Sequence, residues 1–197
     1  MSNGPAGAPL RVLGFAGSLR RRSYNKALIR AAAELAPEGM AIEVHEIDGI
    51  PPYDADRDGE DTPAPVVAIK RAIEGADALL IATPEYNYAI PGVLKNALDW
   101  ASRPAYKSPL VAKPCAVLGA SGGLGGTVRA QMDVRRVLEA CLARVLPYPD
   151  VAVRSASQRF DEQGRLTDEE TRKIVRGLLV GLRDWTRVLR AGTAALL

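Results

Sequence analysis

A cluster of polar and basic residues at positions 17–25 has the composition of a phosphate-binding loop. It combines a glycine, three consecutive arginines, two serines and an asparagine, and the side chains able to reach a ligand are Ser18, Arg20, Ser23 and Asn25. Backbone N–H groups and the positive end of a helix favour an anion at such a place. An ordinary turn, with Ser23 or Asn25 capping the next helix and the arginines solvated, explains the same residues equally well.

A second cluster, at positions 84–92, brings aromatic and amide groups together between prolines. Its candidate ligand-binding residues are Pro84, Glu85, Tyr86, Asn87 and Tyr88. Flat rings beside fixed polar groups are typical of pockets for flat heterocycles. Two plainer interpretations stay open: the tyrosines could lean on Trp100, and Glu85 could only cap the next helix.

A third cluster, at positions 121–127, contains four glycines, which let a backbone approach a ligand closely. The whole loop, from Ser121 through Gly122 and Gly123 to Thr127, is a candidate for such backbone contacts. The spacing matches neither G-x-G-x-x-G nor G-x-x-x-x-G-K-[ST], so the common nucleotide-binding fingerprints are absent. A flexible turn without a ligand is the alternative.

The rest of the chain offers no catalytic side chain of a hydrolase or a metalloenzyme. The single histidine, His45, is predicted to lie mid-strand and away from the three loops, and Cys115 and Cys141 belong to no metal-binding pattern. We therefore predict no protein nucleophile and no metal site. A bound organic cofactor could carry the reaction instead.

Strands and helices alternate along the chain, and this pattern positions the three clusters. Strands are predicted at residues 11–16, 42–48, 76–83, 114–119 and around 151–153, and helices at residues 25–35, 65–74, 93–101, 134–145 and 168–189. Such alternation predicts an α/β doubly wound parallel sheet, with the run 76–83 at its centre and 42–48 near an edge. All three loops then leave carboxyl ends of strands, where ligands bind in such sheets.

The composition of the 197-residue chain is that of an ordinary globular protein. Apolar residues make up 47% and charged residues 25%, and the net charge is only +3, without a basic block that would indicate nucleic-acid binding. We expect a loose tail at residues 1–9, one domain at 10–191 and a frayed end at 192–197. No apolar run approaches the roughly 20 residues of a membrane span. The cysteines indicate a reducing, cytoplasmic location.

Two of these clusters together resemble a known enzyme family. The resemblance depends on two motifs. They are Gly17-Ser18-Leu19-Arg20-x-x-Ser23-x-Asn25 and the run from Pro84-Glu85-Tyr86-Asn87-Tyr88 through Ile90-Pro91-Gly92 to Leu94-Lys95-Asn96-Ala97-x-Asp99-Trp100. Their sequence closely resembles the NAD(P)H-dependent FMN reductases, which include flavodoxin-like quinone, chromate and azo-dye reductases. The likeness extends from about residue 11 to residue 146.

The resemblance implies a flavodoxin-like five-stranded sheet with strand order 2-1-3-4-5 and helices on both faces. It implies FMN with its phosphate at Ser18, Arg20, Ser23 and Asn25, and its ring against residues 84–88 and the backbone of residues 121–123. NADPH or NADH would pass a hydride to flavin N5, and a small acceptor, namely a quinone, chromate, or an azo or nitro compound, would take two electrons. A homodimer or homotetramer is also implied.

Two other functions compete with this one. A flavodoxin-like electron carrier would bind FMN but only dock to protein partners. Such carriers are typically acidic, and the charge of +3 argues against this. An enzyme acting on a phosphate-bearing ligand without flavin is the third.

Overall fold

The computed structural model describes residues 8–194 and contains a parallel sheet between two layers of helices. Most of the predicted tail, residues 1–7, and half of the predicted frayed end, residues 195–197, therefore lie outside the described residues, whereas residues 192–194 are helical. The strands are β1 (Leu10–Ala16), β2 (Met40–His45), β3 (Ala78–Ala82), β4 (Pro114–Ala120), β5 (Arg144–Val145) and β6 (Val151–Val153). The helices are α1 (Tyr24–Glu34), α2 (Ala64–Gly75), α3 (Gly92–Ala101), α4 (Val128–Ala140) and α5 (Glu169–Ala194).

The sheet has the order β2-β1-β3-β4-β5, and every strand pair is parallel. This confirms the predicted order, the edge position of β2 and the central position of β3. The five predicted positions of the sheet are present in the described residues, but the fifth position consists of two short pieces, which gives six strands. Both β5 and β6 pair with β4, and residues 146–150 interrupt them.

The hydrophobic core is divided by the sheet into two layers. One layer packs α1 and α5 against the sheet, and the other packs α2, α3 and α4 against the opposite face. Every residue of β3 and β4 is buried. Strands covered on both faces need apolar side chains at every position, which explains the continuous apolar run that predicted the central strand.

The fourth helix ends earlier than its apolar pattern predicts. The pattern continued to Val145, but α4 stops at Ala140 and Val145 belongs to β5. Leu142 has a left-handed φ of 62°. Its N–H donates to the carbonyl of Glu139 (2.9 Å), and the N–H of Ala143 donates to that of Leu138 (2.9 Å). The helix thus ends in a Schellman motif in which leucine occupies the position that glycine usually holds. The sequence therefore lacks the glycine that would have predicted the end of the helix.

The long loop between β2 and α2 is fastened to α3. The side chain of Asn96 accepts the N–H of Tyr53 (2.7 Å) and donates to the carbonyl of Pro51 (2.9 Å), and the indole of Trp100 donates to the same carbonyl (2.9 Å). The ring of Trp100 meets that of Tyr53 edge-on at 4.9 Å. Two residues of the motif 94–100 thus hold this loop in place.

Candidate functional site

The three polar clusters lie side by side, because β1, β3 and β4 are parallel neighbours and each cluster follows one of them. We call residues 17–25, 84–92 and 121–127 the first, second and third loops. The N–H of Gly17 donates to the carbonyl of Ala82 (2.8 Å), which joins the first loop to the end of β3. A Cβ at Gly17 would lie 2.8 Å from the side chain of Leu94 in α3. Only glycine therefore fits this junction without displacing the helix.

In the first loop, the structure shows the helix cap that the sequence left open. Ser23 precedes α1, and its hydroxyl accepts the N–H groups of Asn25 (3.2 Å) and Lys26 (3.4 Å). Ser18 is also buried, and its hydroxyl accepts the N–H of Arg20 (3.3 Å). Both hydroxyls still have a proton to donate. The capping role therefore does not use up either side chain.

The same loop carries positive charge without a partner. Arg20, Arg21 and Arg22 are exposed, and none of them forms an ion pair within residues 8–194. In the same part of the chain, no acceptor is found for the backbone N–H groups of Leu19, Arg21 and Arg22. Unpaired donors beside a helix N-terminus are the donor set that an anion needs.

Asn25 differs from the other residues of the first loop. It is 3% exposed, and its amide forms two hydrogen bonds with one residue at the end of β4. Its Nδ2 donates to the carbonyl of Ala120 (2.9 Å), and its Oδ1 accepts the N–H of Ala120 (2.9 Å). Asn25 therefore ties the first loop to the third.

The second loop contains a tight hairpin with strained backbone. Tyr86 and Ala89 exchange two backbone hydrogen bonds of 3.1 Å, and the intervening Asn87 and Tyr88 have φ values of 50° and 66°. Asparagine tolerates that region, whereas tyrosine seldom adopts it. Both tyrosines are exposed, Tyr86 by 49% and Tyr88 by 71%. The interpretation that they lean on Trp100 is not what the structure shows, since Trp100 meets Tyr53.

Glu85 does not cap α3, as one interpretation expected, but the start of α4. One carboxylate oxygen accepts the N–H groups of Arg129 (3.1 Å) and Ala130 (3.4 Å), and the other accepts the guanidinium of Arg129 at 2.7 Å. The N-cap residue of α4, Thr127, makes no capping bond with its own side chain. Glu85 fills that role from a different element of the fold.

Arg129 was missed by the sequence interpretation. Its guanidinium carbon lies 4.4 Å from the ring centre of Tyr88, within cation–π distance. Because 40 residues separate the two side chains along the chain, no local pattern in the sequence brings Arg129 to the second loop.

The third loop is fixed where it begins. The N–H of Ser121 donates to the carbonyl of Val153 (2.9 Å), and the carbonyl of Ser121 accepts the N–H of Ala156 (2.9 Å). The N–H of Gly123 donates to the hydroxyl of Ser121 (3.1 Å). Gly122 and Gly123 are exposed, so their backbone faces outward from a supported base. Residues 151–156, which the sequence did not link to the site, provide this support.

No side chain of the described chain is arranged as a nucleophile or a metal centre. Residues 8–194 contain no group of three histidine, cysteine, aspartate or glutamate side chains that could hold a metal ion. Cys115 is fully buried, and burial raises the pKa of its thiol, so it stays protonated. His45 is the last residue of β2 instead of lying mid-strand as predicted. None of the helices in this part of the chain is long and apolar enough to cross a bilayer.

Comparison with known proteins decides among the functions that this geometry allows. The family model described as NADPH-dependent FMN reductase matches residues 10–158. The chain belongs to this family. An NAD(P)H-dependent FMN reductase of Pseudomonas aeruginosa is 48% identical over 181 residues, which cover 92% of this chain and 97% of that relative. The family assignment confirms the resemblance seen in the first two loops.

Two further relatives of this chain indicate the chemistry of the group. A 2-hydroxy-1,4-benzoquinone reductase of a Burkholderia species is 41% identical over 178 residues, covering 90% of this chain and 97% of the relative. The solved structure of FerB, a flavoenzyme NAD(P)H:(acceptor) oxidoreductase from Paracoccus denitrificans, superposes with a TM-score of 0.81 at 34% identity. The superposition covers 90% of this chain and 97% of FerB. This FMN reductase family member is therefore an NAD(P)H-dependent oxidoreductase with a flavodoxin-like fold.

Proposed function

We propose that this protein binds FMN with its phosphate in the first loop and reduces small acceptors at the expense of NAD(P)H. The observation that carries the proposal is the donor set of that loop, namely unpaired backbone N–H groups, two buried hydroxyls and the exposed guanidinium of Arg20 ahead of α1. Ser18, Ser23 and Arg20 would hold the phosphate through charge-assisted hydrogen bonds. Asn25 would act behind them, because both ends of its amide are bonded to Ala120.

The flavin ring would lie between the second and third loops. Pro84 to Tyr88 would form one wall, with Glu85 holding that wall to α4, and the outward backbone of Ser121, Gly122 and Gly123 would line an edge. N–H groups at such an edge stabilise negative charge that develops on a ring. Among the described residues the N–H of Gly122 has no acceptor and is available to a ring, whereas the N–H groups of Ser121 and Gly123 already donate to Val153 and to the Ser121 hydroxyl. The bonds of Ser121 to Val153 and Ala156 keep the Gly122 N–H in place before a ligand arrives.

Bound FMN would supply two-electron transfer, accepting hydride at N5 from a reduced nicotinamide and serving the acceptor in a second half-reaction, which gives ping-pong kinetics. No residue of the chain needs to be a nucleophile or a general base. The protein would orient the two substrates in turn on one ring face and exclude water from it.

Quinones are the acceptors we favour, because relatives with high identity are named as quinone reductases. Chromate, azo and nitro compounds are further candidates. A pure electron carrier is the less favoured alternative, since the relatives are named as reductases and the net charge of +3 does not suit docking to basic partners.

Steady-state oxidation of NADH and NADPH, measured with quinones, azo dyes and chromate in turn, tests the proposal. We expect tight FMN uptake, parallel lines in double-reciprocal plots, and the highest kcat/KM with a quinone. Turnover no faster than that of free FMN would favour the carrier. Colourless protein that takes up no FMN would refute both flavin-based functions.

We also propose that the protein forms a homodimer or homotetramer in the cytoplasm. Large apolar side chains are exposed on and beside α4, including Val128 and Met132 (65% exposed), and burial in a second copy would stabilise them. Two free cysteines suit a reducing compartment. Light scattering after gel filtration measures the mass, and a monomer at micromolar concentration would contradict the oligomer.

A further inference from the structure

We propose that Arg129 is a positioning residue that holds the Tyr88 ring as a fixed wall of the acceptor pocket. This inference rests on the proposed function, since it assumes that the second loop borders the flavin. The starting observation is that Tyr88 occupies a costly backbone conformation and exposes 71% of its surface. An exposed ring on a strained turn needs a second contact to keep one orientation.

Arg129 supplies that contact from the first turn of α4. Its guanidinium carbon lies 4.4 Å from the centre of the Tyr88 ring, and its side chain is 55% exposed. A cation held at this distance over a ring face is attracted by the negative charge of that face. The guanidinium therefore restrains the ring without burying it.

Glu85 prevents Arg129 from moving away. The Glu85 side chain is only 11% exposed, and its carboxylate binds the Arg129 guanidinium at 2.7 Å and the backbone N–H of the same residue at 3.1 Å. Two bonds to one residue from one carboxylate fix the arginine more firmly than a single surface ion pair would. Glu85 and Tyr88 both belong to the second loop, three residues apart. Arg129 is therefore bound to two residues of the same loop.

The consequence is that the loop and the helix form one rigid unit at the mouth of the site. A flat acceptor that stacks beside Tyr88 would gain from this fixed ring, because no ordering of the loop is needed on binding. A small acceptor that receives electrons without stacking on the ring would not bind more tightly because of it. Arg129 thus determines preference for flat acceptors and leaves the flavin chemistry unchanged.

Substitution of Arg129 by methionine tests this directly. Arg129→Met keeps the length of the side chain and the backbone N–H bonded to Glu85, so the cap of α4 survives. We expect the KM for a two-ring quinone such as menadione to rise about two- to fivefold, the range for one cation–π contact, with kcat unchanged. The KM for ferricyanide should not change. Arg129→Lys should recover part of the quinone KM, because it restores the positive charge.

Hydrogen exchange on the FMN-free proteins gives a measurement that does not need activity. In Arg129→Met the amides of Tyr86 and Ala89 should exchange faster than in the wild type, because the turn loses its restraint. Tyr88→Leu removes the ring from the other side of the contact and should have the same effect, with no further increase in the double variant. Arg176→Met, an exposed arginine on α5, is the matched control.

The outcomes separate this inference from the proposed function. If the wild type neither takes up FMN nor oxidises NAD(P)H, the proposed function fails, and the exchange rates still decide whether Arg129 restrains the loop. If the wild type is active but Arg129→Met keeps its quinone KM and its exchange rates, the positioning role is refuted. Equal KM changes for menadione and ferricyanide, or equal changes in Arg176→Met, would refute it as well.

Discussion

Replacing Asn25 by alanine should destabilise the protein strongly, because Asn25 connects two loops that are far apart in sequence. Two hydrogen bonds of 2.9 Å join its amide to the N–H and carbonyl of Ala120, and both residues are 3% exposed. Each lost bond removes about 1 kcal/mol, and each buried group left unpaired adds a cost of about 1–3 kcal/mol. We therefore expect the free energy of unfolding to fall by about 2–5 kcal/mol, after allowing for local relaxation.

The assay is urea unfolding of FMN-free protein followed by circular dichroism. For a chain of this size the loss corresponds to a fall in Tm of about 4–20 °C, since each kcal/mol shifts Tm by about 2–4 °C. Arg30→Ala, at an exposed position of the same helix, is the control and should change stability by less than about 0.5 kcal/mol. If Asn25→Ala keeps the stability of the wild type but loses FMN affinity, Asn25 is a phosphate ligand and our assignment is wrong.

Three more predictions follow from single contacts. Arg20→Ala should weaken FMN binding by about 1–3 kcal/mol in a fluorescence titration, with Arg22→Ala as the control; an unchanged Kd would contradict the role of Arg20. Gly119→Ala should lower the free energy of unfolding by about 1–3 kcal/mol or more, because its Cβ would lie 2.5 Å from the carbonyl of Thr83. Gly75→Ala is the control and should leave the stability unchanged, because open space surrounds the new Cβ. Equal urea midpoints for the two variants would refute the argument. Asp168 accepts hydrogen bonds from Thr171 and forms an ion pair with Arg159, and these contacts lower the pKa of its carboxyl group. The stabilisation they give is therefore complete above about pH 4 and disappears as the pH falls through the lowered pKa. The difference in stability between wild type and Asp168→Asn should therefore shrink below pH 4, and a constant difference in urea melts at several pH values would count against it.

The place of the three loops could be predicted from local patterns in the sequence, whereas the strand order was implied by the resemblance to the family. A continuous apolar run indicated the buried central strand β3, and alternation indicated the edge strand β2. Parallel strands place their carboxyl ends together, so the convergence of the loops required no knowledge of side-chain contacts.

The partners of individual side chains could not be predicted in this way. Asn25 has the sequence context of a helix start, and only the packed fold brings it to Ala120, 95 residues away. Glu85 precedes α3 in sequence but caps α4. The end of α4 was missed for a different reason, because Leu142 takes the left-handed conformation that usually requires glycine.

The interrupted fifth position of the sheet also affects how copies of the protein can meet. An edge strand with free N–H and carbonyl groups can pair with a strand of another chain and start aggregation. Here β5 has two residues and β6 has three, and the segment between them contains Pro147 and Pro149, which have no N–H to donate. This edge is a poor template for an incoming strand. A continuous sheet between two copies is disfavoured on this side, so association there has to use side chains of helices.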